Sequence, residues 1–135
     1  MQHYTIGQLS KLTGQTTVTI RYYEKLKLLG NITRSSGGFR QYPDNLIARF
    51  SFIKNAKAVG FNLADIKTLF DLQTAKAPSQ QVKLRTQKKI ADINDKIKTL
   101  KRMQRALSKW EKACDGEVPI DECPILINLY QPSKD

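Results

Sequence analysis

Thr16-Thr-Val-Thr-Ile-Arg-Tyr-Tyr-Glu24 follows Gly14 by two residues, and Thr5-Ile-Gly-Gln8 stands a few residues upstream. The fold turns on this pair of segments. Thr5 and Gln8 have capping-box spacing, in which the threonine accepts from the backbone three residues on and the glutamine reaches back. A short helix over residues 5–12 is predicted, closed by Gly14, which tolerates the left-handed conformation of a helix end. Thr16 or Thr17 then caps a second helix through Val18, Ile20, Tyr23 and Leu26. Two short helices around a tight glycine-containing turn form a helix-turn-helix pattern.

Residues 31–41 hold Ser35-Ser-Gly-Gly38 between Arg34 and Arg40. This run is too polar for a core, and its glycines suit a tight hairpin, or wing, whose backbone approaches a phosphate closely. Pro43 is expected in the first turn of a third helix carrying Leu46, Ile47, Phe50, Ile53 and Ala56 to Val59, with Gly60 as its stop. Asn62 with Asp65 caps a fourth helix through Ile66, Leu69 and Phe70.

From residue 80 to residue 112 there is neither Gly nor Pro, and Ile90, Ile93, Ile97, Leu100 and Leu107 recur at three- and four-residue steps. The period is that of a coiled-coil seam. At ~1.5 Å per residue such a helix is about 50 Å long, and a chain of this size cannot bury its stripe alone. A homodimer is therefore expected. Cys114 continues the Ile93, Leu100, Leu107 series seven residues on, so the seam delivers it at the end of the arm. Pro124 is placed to start a short helix through Ile125, Leu126, Ile127 and Leu129.

The chain has 135 residues and a formal charge of +11. One small domain plus an extended element fits that length. The positive excess favours a polyanionic partner, with nucleic acid, DNA or RNA, ahead of an anionic membrane because no apolar run approaches spanning length. Residues 1–75 contain 10 basic and 4 acidic side chains, residues 76–112 contain 12 and 3, and residues 113–135 contain 1 and 5. Both cysteines thus fall in or beside the acidic tail. No basic leader with an apolar core precedes Tyr4, so a cytoplasmic protein with reduced thiols is expected.

Two chemistries follow from these residues. A recognition helix needs small or polar groups at its exposed start, which Thr16, Thr17, Thr19 and Arg21 supply. Arg34 and Arg40 flank the Gly-Gly turn with Phe39 beside them, a pairing suited to backbone and minor-groove contact, and Lys57 extends the phosphate track. Many lysines of the arm only solvate it. The second chemistry belongs to Cys114 and Cys123, which enclose eight residues. Thiolates are soft donors that select copper(I), silver(I), gold(I), zinc, cadmium, mercury or lead over hard ions. Two thiolates satisfy a linear monovalent ion, whereas a divalent ion calls for three or four ligands. Asp115, Glu117, Asp121 and Glu122 are available in the loop to complete such a shell, while the one histidine, His3, is at the other end of the chain. A redox-switched pair and a pair of buried spectators are the competing readings.

Ile20-Arg-Tyr-Tyr-Glu24, Arg34-Ser-Ser-Gly-Gly-Phe-Arg-Gln-Tyr42 and Val59-Gly-Phe-Asn-Leu63 resemble the DNA-binding head of the MerR family of transcriptional regulators. Within it, Ser79-Gln-Gln-Val-Lys-Leu-Arg-Thr86 and the Cys-loop-Cys-Pro-Ile ending look most similar to the copper(I)-responsive regulators of the CueR type, although this loop is one residue longer than theirs. The resemblance implies a mainly α fold. It comprises a winged helix-turn-helix domain at 1–75, a dimerisation helix at 76–113 forming an antiparallel coiled coil, and a metal-binding loop with a short helix at 114–135. It carries Arg21, Tyr23, Arg34, Phe39 and Arg40 over as DNA contacts. In divalent sensors of the family a cysteine of the partner subunit heads the long helix, and the matching position here is Ser79. Lys83, one turn on, would offset the negative charge of a two-thiolate site. The resemblance further implies a nucleoid-associated regulator, not an enzyme, that distorts an overlong promoter so that RNA polymerase can align with it, switching on efflux or detoxification genes. An effector-free architectural DNA-binding protein and a thiol-disulfide enzyme are the rivals, and the second lacks the tight Cys-x-x-Cys spacing it would need.

Overall fold

The computed structural model describes residues 2–132. The chain divides into two compact units between Thr86 and Gln87. In the first, α1 (Ile6–Thr13) and α2 (Thr17–Lys25) form the helix-turn-helix. The Thr5 hydroxyl accepts from the Gln8 amide at 3.2 Å and the Gln8 side chain accepts from the Thr5 amide at 2.9 Å, so two amides left over at the helix start are satisfied reciprocally. Gly14 ends α1 at φ +73°, where a Cβ would be strained. Of the two candidate caps for α2 it is Thr16 that accepts from the Thr19 amide, at 3.1 Å.

Three short antiparallel strands brace these helices: β1 (His3–Tyr4), β2 (Thr33–Arg34) and β3 (Arg40–Pro43), in the order β1-β3-β2. Arg34 lies opposite Arg40, and the Ser35 amide donates to the Phe39 carbonyl at 2.7 Å, which closes the wing. Gly38 takes φ +84° at the tip. Pro43 departs from its expected place. It is the last residue of β3, paired with His3, and α3 (Leu46–Ala58) begins only after the Asp44-Asn45 turn. A strand as short as β1 leaves no alternation in the sequence, so the ladder that captures Pro43 could not be seen there.

Helix α4 (Leu63–Thr74) starts at the Asn62/Asp65 capping box and packs on α3, while α1 packs on α2, α3 and β3. Leu9, Ile20, Tyr42, Leu46, Ile53 and Ile66 are fully buried where these elements meet. Arg49 is held at the edge of this core. Its Nε donates to the Leu28 carbonyl at 2.6 Å and its guanidinium lies 3.9 Å over the Phe70 ring, contacts that offset part of the cost of its burial.

Helix α5 (Ser79–Ala113) is continuous over 35 residues. It begins at Ser79, with the Pro78 carbonyl accepting from the Gln81 amide at 3.0 Å. No residue of α5 is buried, and Ile90, Ile93, Ile97, Leu100 and Leu107 are all exposed on it. Beyond it come a 3₁₀ turn (Ile120–Glu122) and α6 (Pro124–Leu129), with proline in the first turn as expected.

Burial, followed by the hydrogen bond to Glu24, pushes the Tyr42 hydroxyl from an ordinary pKa of 10.0 up to about 12. A raised acid favours the folded state below its unfolded pKa, and that contribution is lost as pH climbs from about 10 towards 12. Denaturant midpoints from pH 8 to pH 11.5 should fall more steeply above pH 10 for the wild type than for Tyr42→Phe. The variant should start about 1 kcal/mol lower for want of the hydrogen bond. Parallel curves would show that Tyr42 plays no part in the alkaline loss.

Candidate functional site

The exposed start of α2 and the wing form one surface. Arg21, Arg34, Arg40 and Phe39, with Thr5, Ile6 and Gly38, line a cleft of about 220 Å³. Three guanidinium groups around an aromatic ring match a phosphate with its attached sugar better than any neutral ligand. Phe39 is 75% exposed at the wing tip, so its ring is free to pack on a ligand that enters the cleft. Arg34 donates through one guanidinium nitrogen to the Gly38 carbonyl at 3.0 Å, which steadies the tip and leaves its other donors outward.

The remaining candidates divide between scaffold and surface. Thr16 is engaged as the cap, its hydroxyl also donating to that of Thr19 at 2.9 Å, while Thr17 opens α2. Tyr23 is only 6% exposed, with its ring 5.9 Å from that of Phe50, and Lys57 Nζ donates to its hydroxyl at 3.5 Å. Lys57 is thereby placed beside α2, whereas Tyr22 is half exposed.

Arg40 has a second duty that sequence reasoning missed. Its Nε donates to Glu24 Oε2 at 3.0 Å, and the Tyr42 hydroxyl donates to Glu24 Oε1 at 2.8 Å. Glu24 therefore ties the end of α2 to both an arginine and a tyrosine of β3. A signal was available: a carboxylate in the last turn of a helix opposes the helix dipole and so calls for a cationic partner. Thr5 and Ile6 at the start of α1 were also missed as cleft residues, and nothing in their local sequence marks them.

The second constellation is the cysteine loop. Cys114 directly follows α5 and Cys123 flanks the start of α6, and their Sγ atoms are 3.8 Å apart. Both are free and half-buried. Gly116 at φ +78° turns the loop, and Asp115 accepts from the Glu117 amide at 2.8 Å. The Cys123 thiol is held below its ordinary pKa, first by the Leu126 amide, then by the Ile125 amide and the Cys114 thiol, with burial opposing them. Two ionisable sulfurs facing one another suit a soft ion. Among the described residues no group of three or more His, Cys, Asp or Glu side chains converges, so none of Asp115, Glu117, Asp121 and Glu122 completes a larger ligand set with the thiols. Ser79 and Lys83 lie one turn apart at the exposed start of α5.

A helix-turn-helix with a wing, joined to a long helix, defines the class of DNA-binding transcriptional regulators. The chain belongs to the MerR family. Residues 4–73 match the model of the MerR HTH family regulatory proteins, and residues 47–110 match the MerR DNA-binding model. It is 35% identical to the HTH-type transcriptional regulator ZntR of Escherichia coli O157:H7 over 131 residues, covering 95% of this chain and 93% of that one. It is also 35% identical to CueR of the same organism over 125 residues, covering 92% of each. The crystal structure of the transcription regulator PbrR691 from Ralstonia metallidurans CH34, in complex with lead(II), superposes with a TM-score of 0.86 at 31% identity, covering 93% of this chain and 98% of that one. Among the described residues no helix is long and apolar enough to cross a membrane.

Removing an arginine that contacts a phosphate should lower the slope of log affinity against log salt by ~0.9. That slope is expected to fall for Arg21→Ala and Arg34→Ala with little change in melting temperature. Arg40→Ala should lower both the slope and the stability, the latter by up to about 1 kcal/mol because the ion pair with Glu24 is part-exposed. A melting change at constant slope would make Arg40 a purely structural residue.

Proposed function

We propose that this protein is a metal-responsive transcriptional regulator that binds promoter DNA as a homodimer and holds a monovalent coinage-metal ion, copper(I), silver(I) or gold(I), between Cys114 and Cys123. The observation that carries the choice of ion is the donor set. Two sulfurs lie 3.8 Å apart, and among the described residues no third His, Cys, Asp or Glu side chain joins them. Two thiolates suffice for a linear monovalent ion, and the site then carries a net charge of −1. A divalent ion would need ligands from elsewhere, and the position that supplies a partner cysteine in divalent sensors is the neutral Ser79. In a dimer arranged as the resemblance implies, Lys83 and the amino end of α5 from the second copy would offset the residual negative charge.

One observation favours a divalent ion instead. At a zinc–sulfur distance of ~2.3 Å, a tetrahedral site spaces its sulfurs by about 3.8 Å, whereas a linear site with bonds of that length needs roughly 4.6 Å. The lead(II) complex of PbrR691 adds weight to this rival. Sequence identity does not arbitrate, since ZntR and CueR match equally well.

In either reading the exposed stripe of α5 pairs with a second copy, and binding at the cysteines orders the loop and repacks the apolar residues of α6. The two heads then shift, and the promoter is distorted so that RNA polymerase engages it. The protein acts in the cytoplasm and catalyses no reaction of its own.

Anaerobic titration of the reduced protein with copper(I), zinc(II) and cadmium(II) against competing chelators tests the assignment. One copper(I) per loop is expected, held far more tightly than zinc and lost in both Cys114→Ser and Cys123→Ser. Preferential binding of zinc or cadmium would move the protein to the divalent reading. Unaltered metal-dependent transcription in both serine variants would refute a sensor built on these thiols.

A further inference from the structure

Beyond metal binding, we infer that Cys114 and Cys123 form a dithiol site that a hydroperoxide oxidises to an intrachain disulfide, so that the loop reads oxidant as well as metal. The inference rests on the placement of the sulfurs, not on which ion they hold. Their Sγ atoms are 3.8 Å apart with both thiols free, and the contact is between side chains nine positions apart on a loop, not across a rigid sheet. Forming a disulfide requires them to close to ~2.05 Å. The segment between them is built to absorb that approach of under 2 Å. It turns at Gly116 with φ +78°, where no Cβ obstructs, and runs through the single 3₁₀ turn Ile120–Glu122 before Cys123.

The thiolate of one cysteine attacks the terminal oxygen of the hydroperoxide. The O–O bond breaks, the alkoxide leaves and takes a proton from solvent, and the sulfur becomes a sulfenic acid. The second thiol, already in contact, attacks that sulfur and displaces hydroxide, which leaves as water once it takes up the thiol's proton. Overall two thiols lose two electrons and two protons, and one hydroperoxide becomes one alcohol and one water. Proximity favours the second step over further oxidation of the sulfenic acid to sulfinic acid. The disulfide occupies both sulfurs, so oxidation and metal binding exclude each other.

The test uses the full-length, metal-free, reduced protein and tert-butyl hydroperoxide as the probe. Intact-mass and peptide analysis should show the loss of two hydrogens per chain, a link between the peptides bearing Cys114 and Cys123, and full reversal by a dithiol reductant. Cys114→Ser and Cys123→Ser should instead accumulate a sulfenic acid that a cyclic 1,3-diketone traps. Cross-links between chains, sulfinic acid as the main product, or no reaction where a free small thiol is consumed would each overturn the proposal. Metal at ~100 times its Kd should slow disulfide formation about 100-fold, because only that fraction of the loops is free. A disulfide that forms equally fast with and without metal would leave the oxidation site standing and count against the cysteines as metal ligands.

Discussion

The carboxylate of Glu24 holds the head in its working shape. The wing is a two-stranded ribbon of only a few residues, and such a ribbon has no stable orientation of its own. Glu24 takes Arg40 on one oxygen and Tyr42 on the other, so the end of the recognition helix and strand β3 become one rigid element. Tyr42 is completely buried, whereas Arg40 is more than a third exposed. The tyrosine is the buried anchor, while Arg40 spends its Nε on Glu24 and has further guanidinium donors. Arg21 and Arg34 then face the same cleft because α2 and the wing cannot drift apart.

The long helix imposes a constraint of a different kind. Its seam residues are exposed along their whole length, and a single helix cannot stay in water with such a stripe uncovered at an acceptable free energy. The surrounding charge, 12 basic against 3 acidic side chains over residues 76–112, keeps the rest of this helix solvated beside its apolar stripe. The cysteine loop follows directly on this helix.

Local chemistry made much of this legible in the sequence. The caps at Thr5, Thr16 and Asn62, the glycine stop at residue 14 and the polar hairpin between Arg34 and Arg40 are each decided within a few residues, and each formed as expected. What escaped depends on contacts distant along the chain. Pro43 was drawn into a strand by His3, forty positions earlier, and Glu24 found partners 16 and 18 residues on. The meeting of the two thiols was foreseen from spacing, but the dispersal of the loop carboxylates was not. Their charge suggested ligands, yet Asp115 is committed to the Glu117 amide within its own turn.

Charge decides how such a loop transmits binding. Two thiolates with a monovalent ion leave one negative charge, and with a divalent ion they leave none, before any other ligand is added. The loop already carries the exposed carboxylates Asp115, Glu117, Asp121 and Glu122, so a residual negative charge adds to an already acidic segment. A monovalent ion at these sulfurs would therefore call for cationic groups from outside the loop. A divalent sensor escapes that demand but must recruit further donors. Two thiolates fill the coordination of a linear monovalent ion but only half that of a tetrahedral divalent one, so the two kinds of ion would place different demands on the residues around the loop.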